Sequence, residues 1–328
     1  MAIYHFSAKA MRRAAGKSVT AAAAYRSGSL IVDARSGIEH DYTRKKGVLH
    51  SELILPNGGT AGRSEFWNAV EAHHKRKDAV LCREVEVSLP KELSAEQRQE
   101  LAISYAKHLV DRYSVAADVC LHAPGTVTDR DLEKNPELHY ETDPETGRKH
   151  NGNWHAHILL SACYVNDDGT LGKKAVELDP IHCQRNKVQN FVDLQREYWA
   201  DFVNAALKRN KIAVSVDHRS LDDQGIVDRD PTRHLGPSAT GYERRTGGKS
   251  KKRRDAETGA KERERISKEK ESSEEMDRVN AHAQIPDASK LQAVDPDSVT
   301  SDDGPDDVVY AGSENDDTGA IITPPHPE

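Results

Sequence analysis

The sequence predicts an α+β fold, a central antiparallel β-sheet flanked by helices, with a disordered acidic C-terminal tail, and three observations carry that prediction. Short apolar runs at residues 83–89, 115–122 and 158–163 have the length and β-favouring character of strands. Segments of helical spacing lie between and around them. Beyond about residue 244 this patterning stops, and residues 271–328 hold 15 Asp or Glu against Arg278 and Lys290, a net of −13. The whole chain carries −7, so residues 1–270 carry +6, a basic body suited to a polyanionic partner.

Along the chain, residues 2–8 alternate well enough for a first strand, and Ser18 or Thr20 caps a helix through the alanine run to Gly28. A turn-rich stretch follows, then a helix over 65–77 and a strand over 83–89 that Pro90 closes. Ser94-Ala95-Glu96-Gln97 opens an amphipathic helix to about Tyr113, with Leu101, Tyr105, Leu109 and Val110 near helical spacing. The strand ending at His122 leads into residues 123–153, a polar connection longer than usual. After the next strand, Asn166-Asp167-Asp168-Gly169 makes a turn, residues 190–209 a helix, and residues 212–216 a last short strand. Residues 246–254 read as basic and flexible, and 261–271 as a fraying helix. The expected division is therefore 1–242 as the folded domain, 243–270 as a basic, charged linker or partial helix, and 271–328 as the tail.

At 36% hydrophobic and 31% charged residues, the chain is too polar to be packed end to end. No stretch approaches the roughly 20 apolar residues of a membrane span, and the amino terminus lacks a signal-peptide core, so a cytoplasmic protein without membrane insertion is expected. Cys82, Cys120, Cys163 and Cys183 show no close spacing, and three fall in strand segments, so buried free thiols are expected.

Chemistry concentrates in a few positions. On a strand, His155 and His157 point to one face, and pairing with the run ending at His122 would bring a third imidazole beside them. Three histidines on one divalent ion leave coordination positions for substrate, although a chain with 16 histidines can hold an accidental His-x-His. Glu84 and Glu86 share a strand face, a pattern equally suited to a solvent-facing edge. Tyr25 lies on the alanine-rich helix. A phenol is a poor nucleophile at neutral pH, so attack on a phosphodiester needs help: a metal to polarise the phosphate, and Glu84 or Glu86 to take the phenolic proton or orient a histidine. Arg12, Arg13, Lys17, Arg26 and Arg44-Lys45-Lys46 are candidate phosphate contacts, and Trp154 is a candidate base-stacking residue. Each has the ordinary alternative of surface charge or core aromatic.

The ordered motifs 1–9, 18–28 (Ser18-Val19-Thr20-Ala21-Ala22-Ala23-Ala24-Tyr25-Arg26-Ser27-Gly28), 83–90, 155–159, 216–221 and 234–237 together resemble the MobA/MobL (MobQ-class) conjugative relaxases of the HUH endonuclease superfamily. The resemblance implies an HUH relaxase-like fold and a bacterial enzyme that nicks one strand at an origin of transfer, forms a 5′-phosphotyrosyl adduct and later religates. It implies Tyr25 as nucleophile, His122, His155 and His157 holding Mg2+ or Mn2+, and Glu84, alone or shared with Glu86, as the acidic strand position. Single-stranded and supercoiled DNA, accessory relaxosome proteins and a type IV coupling protein would be the partners. A rolling-circle replication initiator is the rival of like chemistry, but its tyrosine follows the histidines. A non-catalytic DNA-binding accessory mobilisation protein and a small-phosphoester hydrolase are the others. The stretch 123–153 looks longer than in compact family members, and nothing after residue 245 resembles a helicase or primase.

Overall fold

In the computed structural model, residues 4–136, 138–144, 146–226 and 235–283 are described, and the chain groups into two units, Met1–Arg263 and Glu264–Glu328. The first unit begins with β1 (Phe6–Arg12), α1 (Val19–Ser27), a hairpin of β2 (Leu30–Val32) and β3 (Glu39–Asp41), β4 (Val48–Ile54) and α2 (Arg63–His73). It continues through β5 (Val80–Ser88), α3 (Ala95–Tyr113), β6 (Ala117–His122), α4 (Asp129–Lys134), β7 (Glu141–Thr142), β8 (Lys149–His150) and β9 (His155–Ser161). A second hairpin of β10 (Cys163–Val165) and β11 (Leu171–Lys174) is followed by α5 (Pro180–Arg185), α6 (Phe191–Arg209), α7 (Pro237–Thr246) and α8 (Lys251–Ala283).

Five strands make the central sheet in the order β1-β5-β9-β6-β4, each pair antiparallel. Strand alternation sends Val85, Val87, Val119, Leu121, Ala156 and Ile158 to one face, where they join Leu101, Tyr105, Leu109, Trp199 and Val203 of α3 and α6 in the larger core. The other face is covered only in part. There Met11, Cys82 and Leu159 pack with Ala23 of α1 and with Phe66, Trp67 and Val70 of α2. Histidines and carboxylates occupy the rest of that face.

Local chemistry explains why α1 sits where it does. Ser18, rather than Thr20, is the N-cap: its hydroxyl accepts from the Ala21 amide at 3.2 Å, while Thr20 donates to the Asp33 carboxylate at 2.8 Å. The helix stops at Gly28, whose φ of 65° is the left-handed conformation that a glycine adopts without penalty. Val48 also crowds this position, 3.2 Å from where a Cβ would lie. For α2 the anchor is polar: Trp67 Nε1 and Arg63 Nε donate to buried Asp118 at 2.8 and 2.9 Å. The expected capping box of α3 forms between Ser94 and Gln97.

Several boundaries differ from expectation. The first strand runs over Phe6–Arg12 because its alternation continues past Ala8 in register with β5, and Met1 to Ile3 lie outside the described residues. The connection 123–153 holds α4 and the β7–β8 pair rather than bare loop. No strand forms at 212–216. Instead the Asn204 side chain satisfies Val216 at both backbone groups, 2.8 and 2.9 Å, while Ile212 and Val214 pack on the core without joining the sheet. The basic 246–254 segment is also ordered: Glu243 accepts from the Ser250 amide and hydroxyl and from Arg253, joining the end of α7 to the start of α8.

In the second unit, α8 continues without break past residue 271 to Ala283, with Glu264–Lys268 and Arg265–Glu269 pairs one turn apart. Residues 284–328, most of the expected tail, lie outside the described residues. All four cysteines are free and buried, as expected. Among the described residues, no helix is long and apolar enough to cross a membrane.

Candidate metal centre and tyrosine cleft

Sheet register builds the centre. In the β6–β9 pairing His122 stands opposite His155, and His157 follows two residues along the same face. The three rings form a triangle with centroids 5.3, 4.9 and 5.1 Å apart. One ring nitrogen from each lies within 4.8 Å of the others. The spacing inferred from sequence is therefore present in three dimensions.

Each imidazole is fixed by a hydrogen bond at one ring nitrogen. His155 Nδ1 donates to the Asn153 carbonyl at 2.8 Å, His157 Nδ1 donates to Glu84 at 2.7 Å, and His122 Nε2 donates to the Arg26 carbonyl at 2.7 Å. In the neutral form, each ring keeps one lone-pair nitrogen for a metal. Burial disfavours the imidazolium at His122, as do the Lys45 ammonium and the neighbouring histidines, so its pKa is pushed down to about 4. Burial also lowers that of His155. The neutral imidazole is the form in which histidine binds a metal, and three oriented rings whose nitrogens converge make a donor set that fits a divalent ion.

The two carboxylates separate in role-defining surroundings. Glu84 Oε1 receives both His157 and the Arg26 guanidinium, the latter at 2.6 and 2.7 Å. Burial opposes its ionisation, but the His157 bond and the Arg26 ion pair prevail and hold its pKa down to about 2. Glu86, on the same face, leans to Lys9 at 3.5 Å and is a quarter exposed. Neither carboxylate is bonded to Tyr25. The geometry thus favours Glu84 as a group that orients His157 over one that takes a phenolic proton.

Tyr25 and the three histidines line one cleft of about 660 Å³. The tyrosine is 49% exposed, at the last turn of α1. Tyr42, which sequence reasoning did not single out, meets its ring edge-on at 5.2 Å, and Lys45 lies over its face, 3.9 Å from the centroid. The cleft walls add Lys46, Arg148 and Lys149.

Of the cations proposed from sequence as phosphate contacts, two are engaged elsewhere. Arg13 turns inward to the Glu71 carboxylate, 2.7 Å away, and to the carbonyls of Glu71, His74 and Arg76. Arg26 is held by Glu84. Arg12, Lys17 and Arg44 are exposed but outside the cleft lining. Trp154 lines the cleft with Arg98 3.9 Å over its ring, so one face is already covered. Nothing in the local sequence signals the Arg98 or Tyr42 contacts, because both come from distant elements.

Comparison with known proteins places the chain among relatives. The chain is 66% identical over 263 residues to the mobilization protein MobL of Acidithiobacillus ferridurans, covering 80% of this chain and 69% of that protein. It is 32% identical over 270 residues to the conjugal transfer protein TraA of Rhizobium radiobacter, covering 75% of this chain but 22% of that larger protein. A solved structure described as "Molecular Basis of Vancomycin Resistance Transfer in Staphylococcus aureus" superposes with a TM-score of 0.52 at 24% identity, covering 67% of this chain and 100% of that one, and so shares the fold. The MobA/MobL family model matches residues 17–245, which include all three histidines, Glu84, Glu86 and Tyr25. The chain belongs to the MobA/MobL family.

Proposed function

We propose that this chain is a mobilisation relaxase, a site- and strand-specific DNA transesterase. Tyr25 is its nucleophile, and His122, His155 and His157 hold a divalent metal, Mg2+ or Mn2+. The observation that carries the reading is the meeting of a half-exposed tyrosine with three oriented histidines in one basic cleft. The mobilization and conjugal transfer names of its relatives support it. The order of the tyrosine before the histidines argues against a rolling-circle initiator.

In this reading a single DNA strand enters the cleft, and Lys46, Arg148 and Lys149 attract its phosphates. When bound, the metal polarises the scissile phosphate as a Lewis acid. The Tyr25 oxygen forms a bond to phosphorus as the bond from phosphorus to the 3′ oxygen breaks, the phenolic proton passes to solvent and solvent returns one to the 3′ oxygen, which leaves as a hydroxyl, and the strand's 5′ phosphate stays on the tyrosine. One phosphodiester replaces another. Reversal by a 3′ hydroxyl therefore rejoins the strand without another energy source.

The protein's contribution is positioning. Arg26 ties the nucleophile's helix to Glu84 through its side chain and to His122 through its carbonyl, while Glu84 sets the ring of His157. Origin DNA, accessory relaxosome proteins and a coupling protein are the partners this role requires. A nicking assay on an origin-of-transfer oligonucleotide with Mn2+ or Mg2+ tests it: a covalent protein–DNA adduct that chelator abolishes is expected. Tight binding without cleavage by metal-loaded protein would instead indicate a non-catalytic accessory protein.

A further inference from the structure

Helix α1 ends at Ser27 with Gly28 left-handed, so carbonyls in its last turn have no partner within the helix. Two of them are taken by the site. His122 holds the Arg26 carbonyl, and Lys45 Nζ donates to the Tyr25 carbonyl at 2.7 Å. The same ammonium lies 3.9 Å from the Tyr25 ring centroid. One side chain therefore grips both the backbone and the aromatic face of a single residue.

The segment carrying Lys45 is itself fixed. The Tyr42 amide donates to the Ser29 carbonyl at 3.1 Å, Lys45 donates its amide to the Tyr42 carbonyl at 2.9 Å, and the Ala123 amide donates to Gly47 at 2.8 Å. Tyr42 then stands perpendicular to the Tyr25 ring, at 86°. A tyrosine that is half exposed would otherwise sample several rotamers. Here Lys45 and Tyr42 both pack against the ring.

We propose that Lys45 is a positioning residue for the nucleophile: the 42–47 turn clamps Tyr25, Lys45 on the ring face and carbonyl and Tyr42 perpendicular to the ring, and so holds the hydroxyl in the cleft that the histidines line. This rests on the relaxase reading, and it goes beyond the sequence expectation that Lys45 merely contacts phosphate. A simple phosphate contact would act on DNA affinity. A clamp acts on the rate of the bound complex.

The experiment uses the full chain as wild type, Lys45→Met and Lys45→Arg, with single-turnover cleavage at saturating origin oligonucleotide measured beside the Kd of the same oligonucleotide. Lys45→Met is expected to cleave at least ~10-fold more slowly with Kd changed less than about threefold, and Lys45→Arg, which keeps a cation over the ring, to recover most of the rate. A second readout needs no activity: 3-fluorotyrosine at position 25 should give a 19F resonance that moves toward free tyrosine in Lys45→Met and stays near wild type in Lys45→Arg. A weaker Kd with an unchanged saturated rate, or a 19F resonance that ignores Lys45→Met, overturns the clamp. If wild type does not cleave, the relaxase reading falls while the 19F comparison still decides whether Lys45 orders Tyr25.

Discussion

Glu84 decides more than any other single residue about the histidine triangle, since one carboxylate oxygen serves both His157 and Arg26. Replacing it by Gln removes the ion pair and weakens the hold on the ring, so Mn2+ affinity measured by calorimetry should fall about 10–100-fold. An unchanged affinity would remove Glu84 from the centre's support. The same substitution has a pH signature. Glu84 is depressed to about 2 in the fold against an ordinary value of 4.5, so its stabilisation is complete above about pH 4.5 and is lost as pH falls toward 2. The stability margin of wild type over Glu84→Gln in chemical denaturation should be constant at neutral pH and close across that acid window, the full margin being on the order of 3 kcal/mol. At this scale the histidine set was legible because strand periodicity and pairing determine which residues meet. Ranking Glu84 over Glu86 was not, because it depends on Arg26 arriving from another element.

Elements show where pattern reading succeeds and where tertiary contacts override it. The capping box at Ser94 and the apolar stripe of α3 announce that helix, and the structure has it within a residue at each end. Residues 212–216 have strand composition, yet Asn204 satisfies the Val216 backbone and no ladder forms. Arg13 looks like a surface cation in sequence, but Glu71 draws it inward. The helix α2 owes its seat to a contact equally invisible in sequence, Arg63 and Trp67 on fully buried Asp118. Arg63→Met would strand that carboxylate without its cation and should cost about 3–5 kcal/mol in chemical denaturation. A loss below 1 kcal/mol would mean that Trp67 alone suffices.

Across the whole molecule, charge organises function. The basic body and the acidic residues after 270 were both legible from composition, whereas the continuation of α8 to Ala283 was not, because a polar helix without an apolar face lacks periodicity. If the cleft cations Lys46, Arg148 and Lys149 each meet a phosphate of a single strand, affinity should fall about 20-fold between 50 and 200 mM salt. A salt-independent Kd would deny the cleft its role in holding a polyanion. The insert containing α4, β7 and β8 supplies Arg148 and Lys149, so the long connection noted in sequence becomes a wall of the cleft.

The central claim, that Tyr25 attacks a phosphodiester beside the histidine triangle, is tested most directly by comparing wild type with Tyr25→Phe on an origin-of-transfer oligonucleotide in Mn2+, resolved on a denaturing gel. The account predicts cleavage with a protein-linked 5′ product in wild type, and DNA binding without cleavage or adduct in Tyr25→Phe. Cleavage that survives the substitution would move the nucleophile to water or to another tyrosine and contradict it.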